Sequence, residues 1–300
     1  MKIDKTNTTI LFCFFSILNL VIFFFRDKFN YHRFATTSSL NSSDVDKWRR
    51  FIDDLPKEQL TEAKDILDSL HVDSSTPVSK ILTIGGMLHN RFHKQIGSPS
   101  VLLDSKTPLD QFKKLSSSDT VRLWCGNFAI IFAFFCWADG VPCRVIEIMN
   151  PGDHHVLNEC YLSGTNQWVV ADVTNNNLLV LNQKNNVYID LINLRSSAQK
   201  ELVTIQAKDN SMERNPLNPD FYTRYFGNKN PINYYYRIDT RKVYKTGEKV
   251  KRYFFPISWY EEMNSPARGN WLFYVKQLFI LFWLISFVLF LKNFSLRSRL

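Results

Sequence analysis

Two apolar runs bracket this chain, and they constrain its fold more than any other feature. The first, Ile10 to Phe25, reads ILFCFFSILNLVIFFF behind Lys2 and Lys5; the second, Leu278 to Leu291, is apolar except for Ser286 and extends back through Trp271. The first is slightly short to cross a hydrocarbon core of ~30 Å, and the second reaches that length with its extension. The first run passes straight into Arg26 without small residues at a cleavage position, which favours a retained anchor over a removed signal peptide. Trp259, Tyr260, Trp271 and Tyr274 precede the second run like an interfacial belt, and Lys292, Arg297 and Arg299 follow it. That basic tail puts the C-terminus in the cytoplasm. Two spans then put the N-terminus there too, with residues 26–270 outside the cytoplasm. Lys276 is expected to snorkel toward headgroups.

With the ends set aside, one compact domain with extensions remains. The expected division is an N-terminal tail (1–9), an anchor (10–25), a Ser/Thr/Asn-rich linker (26–43), a helical extension (44–75), a core domain (76–200), a juxtamembrane extension (201–270), a second span (271–291) and a basic tail (292–300). The net charge of +9 is scattered and accompanies no nucleic-acid motif, so a membrane surface is the expected partner rather than nucleic acid. Five cysteines, one of them Cys13 inside the first apolar run, are too few for a disulfide scaffold, and no C-x-x-C pair suggests a metal. No cofactor and no metal are expected, and the oligomeric state is open.

Helix signals dominate residues 57–138. Leu60, Ala63, Leu67 and Leu70 recur at helical spacing; Thr76-Pro77 and Thr107-Pro108 each pair an N-cap with proline at the first helical position. Behind them lie Ile81, Ile84, Leu88 and Phe92, and then Leu109, Phe112 and Leu115. The block from Phe128 to Trp137 is too short to span and reads as a buried helix ending near Gly140. Strand composition follows in 144–149, 155–162 and 167–173, the last two joined by turn residues from Ser163 to Asn166. Val187 to Leu191 reads as a further strand, and residues 221–255 give mixed signals. Helices first and an antiparallel sheet afterwards make an α+β domain.

Cys125 opens the apolar helix. A helix N-terminus favours thiolate, the nucleophilic form, and offers unpaired N–H groups to an oxyanion. A two-residue turn at Ser163-Gly164 would set His155 directly opposite Asp172; a four-residue turn through Asn166 makes them diagonal neighbours on the same face. Either register lets Asp172 orient the imidazole. His154 would alternate to the other face. Cys125, His155 and Asp172 are therefore the candidate catalytic residues: nucleophile, general base and orienting carboxylate.

The blocks LWCGNFAIIF, DGVPCRVIEI, HHVLNECYL and QWVVADVT resemble the transglutaminase-like superfamily, whose papain-related fold also serves many microbial cysteine proteases. Cys125 with Ala129, Gly140-Val141-Pro142 with Arg144, His155 with Glu159, and Asp172 with Thr174 match its pattern. Leu157 stands where the family usually has tryptophan, and no upstream oxyanion donor can be matched. The resemblance implies a papain-like core with the cysteine helix packed on an antiparallel sheet, here flanked by two transmembrane helices. It further implies a thiol enzyme, a cysteine protease or amidase or else a transamidase, acting on a protein or peptide substrate through a thioester. The alternative is a catalytically silent scaffold or binding module in a membrane assembly. Glu159, Arg144 and Trp168 are expected as packing and hydrogen-bonding supports. Cys136, Cys143 and Cys160 are expected to be structural, and Cys143 and Cys160 could pair across strands outside the cytoplasm.

Overall fold

The computed structural model describes residues 5–41, 44–53, 55–70, 76–150, 152–208, 211–227, 230–236, 246–256, 258, 260–264 and 270–295. It is a mixed α+β chain that divides into two compact units, one built around the terminal apolar helices and one spanning residues 34–242 and 259–266. Trp259, Arg297 and Arg299 lie outside the described residues.

In the first unit, helices Lys5–Phe24 and Trp271–Ser295 are long and apolar enough to cross a membrane. They pack antiparallel: Trp283 Nε1 donates to Ser16 Oγ at 2.9 Å, Asn293 Nδ2 to Thr8 Oγ1 at 3.0 Å, and Phe12 stacks on Phe290. The Tyr253 hydroxyl donates to Asn19 Oδ1 at 2.7 Å. Lys276 does not snorkel as expected. Its side chain is fully buried, with the ammonium 4.7 Å from the Phe273 ring centre and 5.1 Å from that of Tyr253, because those two aromatic faces stand beside it.

The second unit holds two sheets. The first has the order β1-β10-β9-β2-β3-β4, with β1 Arg33–Phe34, β2 Cys143–Asn150, β3 Asp153–Leu162, β4 Gln167–Ala171, β9 Ile232–Tyr235 and β10 Tyr260–Met263. The second has the order β6-β5-β7-β8, with β5 Leu179–Asn182, β6 Val187–Tyr188, β7 Leu202–Lys208 and β8 Ser211–Pro216. The expected strand 187–191 is thus cut short, since Asp190 caps a helix Leu191–Ser196 by accepting from Asn193 N–H at 2.7 Å.

Both Thr-Pro signals mark helix starts. The helix Pro77–Phe92 buries Ile81, Ile84, Leu88 and Phe92, and Pro108–Ser116 buries Leu109, Phe112 and Leu115. The helix Lys57–Ser69 buries Ala63 and Leu67, while Leu70 falls at its C-cap and is exposed. The helix Cys125–Ala138 is apolar all round because it is packed all round: it contacts β2, β3 and three helices, and Phe128, Phe132, Phe134 and Phe135 are each at most 1% exposed. It stops at Gly140, whose φ of +78° is the left-handed conformation of a C-terminal glycine.

Both faces of the first sheet are covered, as alternation along its strands shows. Cys143, Val145, Cys160 and Leu162 join the helical core; Ile146, Ile148, Leu157 and Tyr161 join an aromatic core with Trp48, Trp168 and Tyr234. The expected linker is partly folded. Thr36 caps a turn Thr37–Leu40, Leu40 is fully buried, and its carbonyl accepts from Arg144 Nη1 at 3.0 Å.

Candidate active site

Asn127 sets how the chain enters the cysteine helix. Its Oδ1 accepts the Trp124 backbone N–H at 2.9 Å, and its Nδ2 donates to Asp104 Oδ1 at 2.9 Å and Gln111 Oε1 at 3.0 Å. Trp124 is extended, the first helical bond runs from Phe128 N–H to its carbonyl, and Cys125 is the first helical residue. The opening N–H groups of the helix have no partner within it, so they converge beside a half-buried thiol. A Cβ placed on Gly126 would lie 4.0 Å from Val156 Cγ2, so the helix start abuts the strand residue next to His155.

β3 and β4 form the expected hairpin in its four-residue-turn register. Tyr161 opposes Trp168, Asn158 opposes Ala171, and Asn166 takes φ +52°. The directly opposed pairing of His155 with Asp172 is not observed. They are diagonal neighbours, and His155 Nε2 lies 2.8 Å from Asp172 Oδ2. β4 ends one residue before Asp172, which forms its own bridge with Asn177: Asp172 N–H donates to Asn177 O at 2.7 Å, and Asn177 N–H to Asp172 O at 2.8 Å. Both side chains are at most 5% exposed. His154 is exposed on the other face, as strand alternation requires.

Contacts from three residues here were not anticipated from sequence. Asn175 Nδ2 donates to Asp172 Oδ2 at 2.9 Å and lies 3.3 Å from His155 Nε2, while its backbone N–H reaches Asp172 Oδ1 at 3.3 Å. The Tyr225 ring sits 4.8 Å from the imidazole, and Phe221 meets it edge-on at 5.6 Å. This aromatic roof is fastened at Asp153, which accepts the Tyr225 hydroxyl at 2.8 Å and pairs with Arg224. Its short helix is capped by Asn218 and closes in a π-turn over Tyr222–Phe226.

Burial alone would lower the His155 pKa, but the charge and hydrogen bond of Asp172, joined by interaction with the Cys125 sulfur, raise it from 6.5 to about 10. The imidazolium is therefore the favoured state across neutral pH. With Nε2 taken by Asp172, Nδ1 is the nitrogen left to exchange a proton with the thiol. Burial, then the Asp153 hydrogen bond and charge, push Tyr225 up to about 12, so its hydroxyl stays a donor.

Glu159, Arg144 and Trp168 take the supporting places expected of them. The fully buried Arg144 donates Nε–H to Glu159 Oε2 at 2.8 Å and stacks 4.2 Å from the Trp168 ring, with Tyr234 and Trp48 at 4.8 and 5.0 Å. The other Glu159 oxygen accepts Leu191 N–H at 2.6 Å. Among the described residues, the His/Cys/Asp/Glu group close enough to share an ion is Cys136, Cys143 and Cys160, which begins eleven residues along the helix from Cys125, roughly 16 Å away at 1.5 Å per residue.

No family model, curated protein or solved structure matches this chain. The residues of the site therefore carry the functional argument.

Proposed function

We propose that this chain is a membrane-anchored thiol enzyme of transglutaminase-like, papain-like type that acts on peptide or carboxamide bonds. The observation that carries the reading is the buried His155–Asp172 hydrogen bond beside a thiol at a helix N-terminus. Cys125 Sγ attacks the substrate carbonyl carbon, and its proton resides on His155. The N–H groups at the start of the Cys125–Ala138 helix receive the developing oxyanion, and no side-chain donor is needed for that step. His155 returns the proton to the leaving amine, whose departure leaves a thioester on Cys125. Water activated by His155 then releases the acid, while an amine acceptor in its place gives transamidation. Hydrolysis is preferred because water is abundant and no lysine-binding channel is evident in the sequence.

The cross-helix hydrogen bonds Trp283–Ser16 and Asn293–Thr8 support a retained N-terminal anchor, and the basic residues after the second span support both termini in the cytoplasm with the enzyme domain outside it. Proteolysis of intact cells tests this: the domain should be digested, and full protection overturns the orientation.

The aromatic roof on His155 favours a second reading, a catalytically silent scaffold in a membrane assembly. One experiment separates the two. An activated Cys125 should react with iodoacetamide at mildly acidic pH about 100-fold faster than in His155→Ala, whose thiol must ionise unaided. Equal rates leave the scaffold.

A further inference from the structure

Cys136, Cys143 and Cys160 come from the end of the cysteine helix, the start of β2 and the end of β3, and their sulfur atoms all lie within 4.8 Å of one another. Each residue is fully buried. Within this cluster two sulfurs stand apart. Cys143 and Cys160 are directly opposed in the β2–β3 ladder, with Sγ atoms 3.5 Å apart. Directly opposed antiparallel residues have Cα separations of about 4.5 or 5.5 Å, both inside the range that a disulfide spans. Rotation of the side chains alone can bring these sulfurs to bonding distance. Cys136 differs in kind, since its bond would have to join a helix to the sheet beneath it.

We propose that Cys143 and Cys160 are joined by a disulfide formed during folding, and that Cys136 stays a free thiol. The timing follows from burial: none of the three sulfurs can meet another protein once the helix has closed over the hairpin, whereas β2 and β3 are adjacent in sequence and pair locally. The oxidant is the disulfide of a thiol–disulfide oxidoreductase. One cysteine thiolate attacks it to form a mixed disulfide and frees one oxidoreductase thiol. The second cysteine thiolate then displaces the other, so the new S–S bond forms as two protons and two electrons leave the chain and the oxidoreductase departs as a dithiol. Burial pushes the Cys136 thiol well up in the folded protein, which keeps it protonated and slow to exchange with the finished bond.

The bond would pin the register of the strand that carries His155. In the observed register His155 opposes Ile148; a slip by one residue would turn every β3 side chain to the other face and remove the imidazole from Asp172. The proposal rests on the extracytoplasmic placement above and is independent of the triad chemistry.

The test uses the full chain in cell membranes, with N-ethylmaleimide added before lysis and deuterated N-ethylmaleimide in denaturant, followed by peptide mapping without reductant. The expected result is one linked peptide pair joining Cys143 to Cys160, with Cys136 alkylated only after denaturation. Alkylation of both Cys143 and Cys160, a linkage to Cys136, or a metal ion bound one per chain by the three thiols overturns it. Protease accessibility of the same preparation keeps the failures distinct: an accessible domain with free thiols sinks the disulfide alone, and a protected domain with free thiols sinks the orientation as well.

Discussion

His155 and Asp172 meet across a diagonal of the β3–β4 hairpin, Nε2 to Oδ2 at 2.8 Å, with both side chains closed to water. Because that contact raises the imidazole from 6.5 to about 10, its stabilising effect is complete below the lower value and is lost as pH climbs through the upper one. In Asp172→Asn the dominant charge is gone, and the His155 titration followed by NMR should fall to about its ordinary range or below, since burial then acts with little opposition. Turnover should fall by about 100-fold or more. An unchanged titration would mean that the carboxylate does not control the ring.

The roof makes the opposite kind of prediction. Tyr225→Phe keeps the ring on His155 and loses only the hydroxyl bond to Asp153, so alkylation of Cys125 should change by less than about threefold, the equivalent of one modest hydrogen bond. Phe221→Ala with Tyr225→Ala uncovers the imidazole and should speed access of a bulky maleimide to Cys125 by a clear multiple. The same rate in both variants would show that the roof does not gate the thiol.

Asn127 holds three groups at once, and Asn127→Ala removes one hydrogen bond from each. Denaturant unfolding should show a loss of about 1–3 kcal/mol, chiefly from the buried Gln111 amide oxygen that loses this donor. Alkylation of Cys125 should also change in rate as the helix start loosens; an unaltered rate would confine Asn127 to stability.

Arg144→Met leaves Glu159 buried without its cation, and burial already raises the Glu159 pKa even though Arg144 opposes it. The expected cost is about 3–5 kcal/mol in chemical unfolding. Adding Glu159→Gln removes the stranded charge and should recover part of that loss. If the double variant is no better than the single, the stacking of Arg144 on Trp168, Tyr234 and Trp48 matters more than the ion pair.

Local chemistry is what the sequence made legible. Thr76-Pro77 and Thr107-Pro108 marked two helix starts because capping needs only four neighbouring residues, and the turn residues from Ser163 to Asn166 left just two registers, both with His155 and Asp172 on one face. What stayed hidden depends on pairing between distant segments. Nothing in INYY or YEEM announces β9 and β10, because their partner is a strand about ninety residues upstream or each other. Phe221 and Tyr225 look like any aromatic pair until Asp153 fastens them over the imidazole. Asn175 sits in a polar turn with no periodicity, and the three sulfurs meet only when helix and hairpin pack.

The strand order has a consequence for how the protein is made. β2, already paired with β3, keeps its other edge open until β9 arrives, and β9 in turn waits for β10, so the sheet that holds His155 cannot be finished until the chain has been synthesised past Met263. Until then an unpaired edge is offered to any passing strand, a recognised route to aggregation. A fragment cut at residue 200 would carry all three candidate catalytic residues and still lack four strands, β7 to β10, and the roof, so a recombinant core worth assaying must run through residue 263.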